Sequence, residues 1–359
     1  MSIHLLNSDN VDDFLEQVSN ASRLGIDTEF HAERRFTPLL LLIQIYVPGG
    51  DTWLIDPTRA LPHPEVASRL IEPEWVVHGG KFDLKLLNGF LGGLPKTVWD
   101  TQLGGGLLEL KYPASYGHLV QKYLNISLGK HATLSNWARR PLSKEQIKYA
   151  AEDVIHLLPL WDSITKELHQ TGRFKYAQHY CDAQRTRVLH VPEPSELLHQ
   201  HPALIHLAPQ QACVLQELLF WRYGIAKDNN QPVRSVLSDG HVVELAKRQP
   251  SSISSMREDR RMPKKVVSNY GPELIERISR AGSRPEWAWP KYIRKDTPEW
   301  VQKHRLLSFV LHDGLANQYG QRLVLPNNHL DAIILEKPDT LPALQDHISR
   351  TAFELAGTR

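Results

Sequence analysis

The spacing of apolar and polar positions in the first half of the chain predicts strands interspersed with helices. Residues 11–22 have the periodicity of an amphipathic helix, and apolar runs predict successive strands at 24–30, 39–47 and 51–57. The connections between these strands are short, whereas a parallel crossover needs about a dozen residues or more. We therefore expect the three strands to be antiparallel neighbours.

The same pattern continues beyond these strands. A helix at 64–71 leads to a short buried strand at 75–78. Farther on, Ser143 and Gln146 have the spacing of a capping box, which predicts the start of a long helix. The first half is therefore predicted to be an α/β domain, with a mixed sheet of five to six strands flanked by helices.

The pattern changes after Gly172. The stretch around residues 191–194 is rich in proline and has no periodicity, which indicates a connection between domains. We therefore predict a first domain at 1–172 and a linker at 173–207. Residues 208–283 then have helical patterns only, and a chain of 359 residues is long enough for two or three domains.

Four acidic residues in three short windows are the candidate chemistry of the first domain. Asp27 and Glu29 lie two apart on a predicted strand, so their side chains point to the same face. Asp83 lies in a predicted helix, and Asp153 follows Tyr149 by four residues on another helix, where the two share a face. Oxygen ligands from three elements, without a cysteine or histidine cluster, favour hard ions such as magnesium or manganese over zinc.

Each acid also has an ordinary structural explanation. An aspartate near a strand end is often a turn residue, Asp83 is placed to cap a helix that begins near Phe82, and Asp153 suits an exposed helix face. Asp27, however, is predicted in mid-strand, where an unpaired charge is costly. The order of the acids, together with the tyrosine spacing, favours one shared site.

These motifs resemble those of the DEDD exonucleases, and among them the ribonuclease D family. Its tyrosine subclass has Tyr four residues before the last Asp, as in this chain, and Lys148 at the fifth position before it excludes the histidine subclass. Leu39 and Leu41 depart from the family pattern, which usually has a polar and a small residue there. The resemblance extends over nearly the whole chain and rests on the run from Ser135 to Trp161 and on four short motifs: DTEF at 27–30, LIQI at 42–45, LIDP at 54–57 and WDTQ at 99–102.

The resemblance implies a ribonuclease H-like exonuclease domain that uses two divalent ions, Mg²⁺ or Mn²⁺. Asp27, Glu29, Asp83 and Asp153 would bind these ions, and Tyr149 would orient the attacking water. The implied reaction is 3′-to-5′ hydrolysis of RNA that releases nucleoside 5′-monophosphates, with the 3′ ends of tRNA precursors as the expected substrates.

Four residues beside the acids are candidates for contact with the terminal nucleotide. Phe30 and His31 follow Glu29 directly, Gln44 lies in the LIQI motif, and Lys81 precedes Asp83 by two residues. Three of them have an alternative explanation, since Phe30 and Gln44 suit packing positions and Lys81 suits the surface.

The second half resembles the HRDC domain, a small helical domain shared by helicases and ribonuclease D. The resemblance rests on residues 210–252 and predicts a domain at 208–286, while 296–359 look like a degenerate second copy. Five cations within nine residues are suited to following a phosphate backbone, and a solvated helix face is the alternative. These cations are Arg257, Arg260, Arg261, Lys264 and Lys265.

Composition bears on the cellular location of the protein but does not indicate its substrate. The net charge is +2, from 42 basic and 40 acidic residues, so overall charge gives no nucleic-acid signal. Two cysteines offer no disulfide framework, the N-terminus lacks the pattern of a signal peptide, and no apolar run approaches the roughly 18 residues of a membrane span. We therefore expect a cytoplasmic protein that binds no membrane. The family resemblance implies RNA as its partner, and we expect a monomer.

Two other functions share these acids. A DNA exonuclease of the proofreading type would have all four, although the HRDC-like half and the ARRPL run at 138–142 argue against it. A nucleic-acid-binding scaffold with a retired active site is the other, but retirement usually removes at least one metal-binding acid and none is missing here.

Overall fold

The computed structural model describes residues 2–59, 61, 63–108, 113–129 and 136–292. Within these residues, one six-stranded mixed sheet has the strand order β1-β4-β3-β2-β5-β6. The strands are β1 (Ile3–Leu5), β2 (Arg23–His31), β3 (Leu39–Tyr46), β4 (Thr52–Ile55), β5 (Glu74–Val77) and β6 (Val98–Asp100).

The predicted strands are confirmed, and so is their pairing. β2 with β3 and β3 with β4 are antiparallel, as their short connections require. β1 with β4, β2 with β5 and β5 with β6 are parallel. β1 and β6 were not predicted, because strands of three residues are too short to show an alternating pattern.

Helices cover both faces of the sheet. On one face, Phe14 packs with Trp53 and Trp75 in a core that also includes side chains of α1, α2 and α3. On the other face, Ala150 of α6 packs on Leu42, and α7 contacts β2 and β5. The helices of this domain are α1 (Val11–Ser19), α2 (Glu65–Leu70), α3 (Lys81–Leu91), α4 (Thr101–Gly106), α5 (Tyr116–Leu124), α6 (Lys144–Ile155) and α7 (Leu157–Gln170).

The segment that we predicted as a linker, 173–207, is mostly helical. α8 (Phe174–Leu189) packs against α3 and β6, with Cys181 buried in the core of the first domain. α9 (Pro194–His199) begins with proline in its first turn, where the missing N–H is not needed. The non-helical connection between α8 and α9 is therefore confined to residues 190–193.

The helical domain that follows matches the predicted all-helical pattern. α10 (Pro209–Asp228) is its central helix and contacts α9, α11, α12 and α14. The others are α11 (Val233–Val236), α12 (Asp239–Arg248), α13 (Ile253–Arg257) and α14 (Lys264–Gly282). The predicted second helical copy at 296–359 lies outside the described residues. None of the described helices has the length and apolarity that crossing a membrane requires.

Candidate active site

Strand β2 supplies two of the candidate acids. Asp27 pairs with Gln44 of β3 and Glu29 pairs with Leu42, so both carboxylates lie on the face of the sheet that α6 covers. The register with β3 shifts directly after Glu29, between Glu29 and Phe30. Such a bulge bends a strand and redirects its side chains, and here it ends the regular pairing at the acids.

Helix α3 brings Asp83 to the same region. It begins after Gly79, whose φ of +64° lies in the left-handed region that glycine adopts without strain. Asp83 is 8% exposed and accepts a hydrogen bond from the hydroxyl of Thr28, the residue between the two acids of β2. The N-cap of this helix is Gly80 and Asp83 lies within its first turn, so Asp83 is not the N-cap residue.

Helix α6 supplies Tyr149 and Asp153. It starts at the predicted capping box, in which the hydroxyl of Ser143 accepts from the backbone N–H of Gln146 at 3.2 Å and the Gln146 side chain accepts from the Ser143 N–H at 2.9 Å. The Tyr149 ring lies 6.1 Å from the buried Trp137 ring. Burial raises the pKa of Asp153, and the nearby Tyr149 hydroxyl offsets part of that rise. The tyrosine therefore lies beside one of the acids.

Burial raises the pKa values of all four acids, and the charges of other acids in the site raise those of Asp27 and Glu29 further. Burial is the largest cause for Glu29, whose pKa rises to about 8, for Asp153, at about 7, and for Asp83, at about 6. Burial also raises the pKa of Asp27 well above its ordinary range, and the charges of the three other acids add to this effect. Carboxylates that destabilise one another in this way favour a cation among them.

The donor set at this site fits hard divalent ions. Carboxylate oxygens are the ligands that magnesium and manganese prefer. Among the described residues, however, no three acidic, histidine or cysteine side chains are gathered into a preformed metal-binding group.

The four candidates for substrate contact lie in different environments. The half-buried Phe30 ring is 6.2 Å from the exposed Phe82 ring, and His31 is exposed at the end of β2. Lys81 is exposed in the first turn of α3. Gln44 is fully buried opposite Asp27, and neither its amide oxygen nor its nitrogen has a hydrogen-bond partner among the described residues.

Two residues that position the acids, Gly25 and Asp100, were not predicted from the sequence. A Cβ on Gly25 would lie 2.8 Å from the carbonyl oxygen of Val154, so only glycine lets α6 approach β2 this closely. Asp100 is fully buried in the WDTQ motif and accepts from the backbone N–H groups of Gly79 and Gly80, which fixes the start of α3. The signal was present, since Gly25 precedes the acids by two residues and Asp100 belongs to a quoted motif.

Tyr116 of α5 is a third residue that the sequence did not indicate. Its hydroxyl lies 3.5 Å from the carbonyl oxygen of Glu152, and its ring is 5.4 Å from the His78 ring. Burial, and then the charges of Asp153 and Asp27, raise its pKa well above the ordinary range. Tyr116 lines a cleft of about 710 Å³ whose wall also includes Tyr149 and Asp153. No sequence spacing connects Tyr116 to the acids, because it reaches them through the tertiary fold.

One arginine of the ARRPL run has a structural role. Arg140 forms two hydrogen bonds with the buried carboxylate of Asp56, at 2.7 and 2.9 Å, and donates to the carbonyl oxygens of Trp137 and Leu41. The pKa of Asp56 is lowered to about 2, because the hydrogen bonds from Arg140 and Thr58 outweigh its burial. Arg140 is therefore not free to bind RNA, whereas Arg139 is exposed.

The chain matches the class of 3′-5′ exonucleases. A family model described as 3′-5′ exonuclease matches residues 3–169, and one described as HRDC domain matches residues 211–278. The chain is 31% identical over 280 residues to ribonuclease D of Pseudomonas paraeruginosa, an alignment that covers 77% of this chain and 74% of the relative. With ribonuclease D of Escherichia coli it is 27% identical over 310 residues, or 84% of this chain and 82% of the relative. The chain therefore belongs to the ribonuclease D family of 3′-5′ exoribonucleases.

Solved structures agree with the fold. A crystal structure of Escherichia coli RNase D, described as an exoribonuclease involved in structured RNA processing, superimposes with a TM-score of 0.83 at 22% identity and covers 100% of this chain and 99% of that one. The catalytic core of RRP6 from Trypanosoma brucei matches with a TM-score of 0.54 at 19% identity, covering 78% and 79% of the two chains. Exonucleases of this family use divalent metal ions.

Proposed function

We propose that the protein is a two-metal-ion exoribonuclease that removes nucleoside 5′-monophosphates one at a time from RNA 3′ ends. The observation that carries the proposal is the convergence of four mutually repelling carboxylates, from β2, α3 and α6, beside a protonated tyrosine. Two divalent ions, Mg²⁺ or Mn²⁺, would activate water and stabilise the leaving 3′-oxygen when bound.

The four acids and Tyr149 would have separate roles in the reaction. Asp27 is affected by the charges of the three other acids. It would hold both ions, with Glu29 and Asp153 completing one site and Asp83 the other. Burial and three negative charges raise the pKa of Tyr149 further above its ordinary range, so this hydroxyl stays protonated at neutral pH. Tyr149 would therefore orient the attacking water by hydrogen bonding and would not act as a base.

The proposed specificity for RNA 3′ ends rests on Glu29, which lies at the bulge in β2. It would accept a hydrogen bond from the 3′-hydroxyl of the terminal nucleotide, a group that only a strand end offers. A 3′-phosphate would place a second negative charge against this carboxylate and block the reaction. Phe30 and His31 adjoin this position, and the exposed Phe82 ring offers a face for base stacking.

The helical domain supports binding of a long, structured RNA, and we propose the 3′ ends of tRNA precursors as substrates. Arg257, Arg260 and Lys264 are exposed and line one cleft of about 560 Å³. None of these three has an ion-pair partner within the part of the chain that the structure describes, whereas Arg261 is paired with Asp259 at 3.3 Å. Unpaired cations in a cleft are suited to backbone phosphates.

Digestion of matched RNA and DNA strands tests the proposed function. Each strand carries the same sequence and a 5′ label and is incubated with magnesium, manganese or a chelator, and the product sizes are read on a gel. We expect a ladder shortened from the 3′ end of RNA, no reaction with the chelator and a slower reaction on DNA. The Asp27→Asn variant is the control for a contaminating nuclease.

Four results would contradict the proposal. Equal rates on RNA and DNA would favour a DNA exonuclease, and cleavage of a circular RNA would rule out dependence on a 3′ end. Wild-type turnover by Asp27→Asn would show that the acid cluster is not the active site. RNA binding without any hydrolysis would instead indicate a retired scaffold.

A further inference from the structure

The connection between β2 and β3 touches the helical domain. We call residues 32–38 the β2–β3 loop; it begins directly after His31, at the end of the strand that carries Asp27 and Glu29. Its Phe36 is half-buried and packs against the core of the helical domain. The Phe36 and Tyr223 rings meet edge to face, with centroids 5.1 Å apart and an angle of 81°.

A hydrogen bond fixes the loop at a second point. The backbone N–H of Thr37 donates to the side-chain oxygen of Asn230 at 3.0 Å. Asn230 has a φ of +45° and lies just after the end of α10, where its own N–H donates to the carbonyl oxygen of Lys227. The left-handed backbone turns the Asn230 side chain toward the loop, so its position follows from the end of α10.

The same aromatic ring also contacts the helix that carries Asp83. The ammonium nitrogen of Lys85 lies 5.4 Å from the centroid of the Phe36 ring, within the range of a cation–π contact. Lys85 follows Asp83 by two residues on α3. Phe36 therefore joins three elements: the loop after Glu29, the helix with Asp83, and α10 of the helical domain.

We infer that Phe36 and Asn230 are positioning residues through which the helical domain holds the β2–β3 loop, and with it Glu29 and His31, in the arrangement that hydrolysis requires. This inference rests on the proposed function of the acids. It gives the helical domain a part in the chemical step that is separate from RNA binding and does not depend on RNA length.

The effect falls on turnover because the loop is joined directly to the acid strand. Glu29 lies only three residues before the loop, at a bulge where strand pairing no longer restrains the backbone fully. A displacement of about 1 Å in a reacting group can cost about 100-fold in rate. Loss of the contact at Phe36 is therefore expected to lower kcat on every substrate.

Kinetics on a trinucleotide and on a long structured RNA separate the two roles of the helical domain. The full-length variants are Phe36→Ala, which removes the ring, and Asn230→Gly, which removes the acceptor while glycine keeps the left-handed backbone. We expect each to lower kcat on the trinucleotide by about 10-fold or more, with KM changed little. Phe36→Tyr should restore the rate, and Glu33→Ala, an exposed residue of the same loop, should match the wild type.

Unchanged kcat on the trinucleotide in both variants would overturn the inference, as would a defect confined to KM on the long RNA. Thermal unfolding of each variant is measured in parallel, and if Phe36→Ala fails to fold, Asn230→Gly decides the question. A wild-type protein that hydrolyses neither substrate would reject the proposed function itself. Phe36 and Asn230 would then have no catalytic site to position.

Discussion

Gly25 of β2 faces the carbonyl oxygen of Val154 of α6, so close that a Cβ on the glycine would lie 2.8 Å from that oxygen. Gly25→Ala must move backbone, because a carbonyl oxygen within a helix cannot rotate away. We expect a loss of about 1–3 kcal/mol in the free energy of unfolding, as for overpacked cores. We also expect a fall of at least about 10-fold in kcat, because Asp153 is adjacent to Val154.

Gly89→Ala is the matched control for this substitution. Gly89 lies within α3 and has open space around its α-carbon, so alanine there is expected to stabilise the helix slightly. Denaturant unfolding and turnover are measured for both variants. If Gly25→Ala kept the wild-type stability and rate, the close approach of α6 would not matter for the site.

Tyr149→Phe removes the hydroxyl that lies near Asp153. Its expected effect is a loss of roughly 10-fold to 10⁴-fold in kcat, because the water loses its orientation while the acids remain. Its pH–rate profile should keep the wild-type shape, since the tyrosine does not titrate near neutral pH. A basic limb that disappears in the variant would show instead that Tyr149 acts as a base.

The metal-free protein is expected to lose stability as the pH rises. The pKa of Glu29 is raised to about 8 in the folded state from an ordinary value of 4.5, so its contribution is fully present below pH 4.5 and is lost as the pH rises through 8. Asp153, with a pKa raised to about 7, acts in the same direction. Thermal unfolding in a chelator should therefore show Tm falling between pH 5 and 8, and magnesium should reverse the fall.

Asp27→Asn tests this explanation, because it removes one of the repelling charges. The slope of Tm against pH should be shallower in this variant without metal. A slope identical to that of the wild type would show that the acids do not repel one another in the folded protein.

Replacing Gln44 by methionine is expected to raise stability and to lower activity. Its amide is fully buried opposite Asp27 without a partner among the described residues, so Gln44→Met, which has a similar volume, removes an uncompensated polar group. We expect a gain of about 1–2 kcal/mol in the free energy of unfolding and a lower kcat. A destabilised variant would mean that the amide is satisfied in solution, for example by a buried water.

The basic cleft should govern the salt dependence of RNA binding. Replacing Arg260 and Lys264 by alanine is expected to weaken binding and to reduce the slope of log K against log salt by about 0.7 for each lost phosphate contact with a single strand. Arg261→Ala should leave the slope nearly unchanged, because Arg261 is already paired with Asp259. Equal slopes for all variants would place the RNA elsewhere.

The sequence predicted the elements that carry the acids because each has a strong local signal. Asp27 and Glu29 follow a run of buried apolar residues, and the capping box at Ser143 places α6 within one residue. α8 was not predicted because its sequence is only weakly amphipathic. The prolines at 192 and 194, just after it, indicated a connection between domains. Contacts such as that of Phe36 with Tyr223 join residues far apart in the chain, and no local pattern encodes them.

Asp100 also determines where the chain tolerates changes in length. Its carboxylate accepts from the N–H groups of Gly79 and Gly80 before α3 and from Gln102 at the start of α4. One residue inserted before α3 would rotate that helix by about 100° and shift it by about 1.5 Å, which would carry Asp83 out of the site. Gly49 is in an exposed turn, and no described residue has an atom within 4 Å of where its Cβ would lie. It is therefore a better position for a tag or a label.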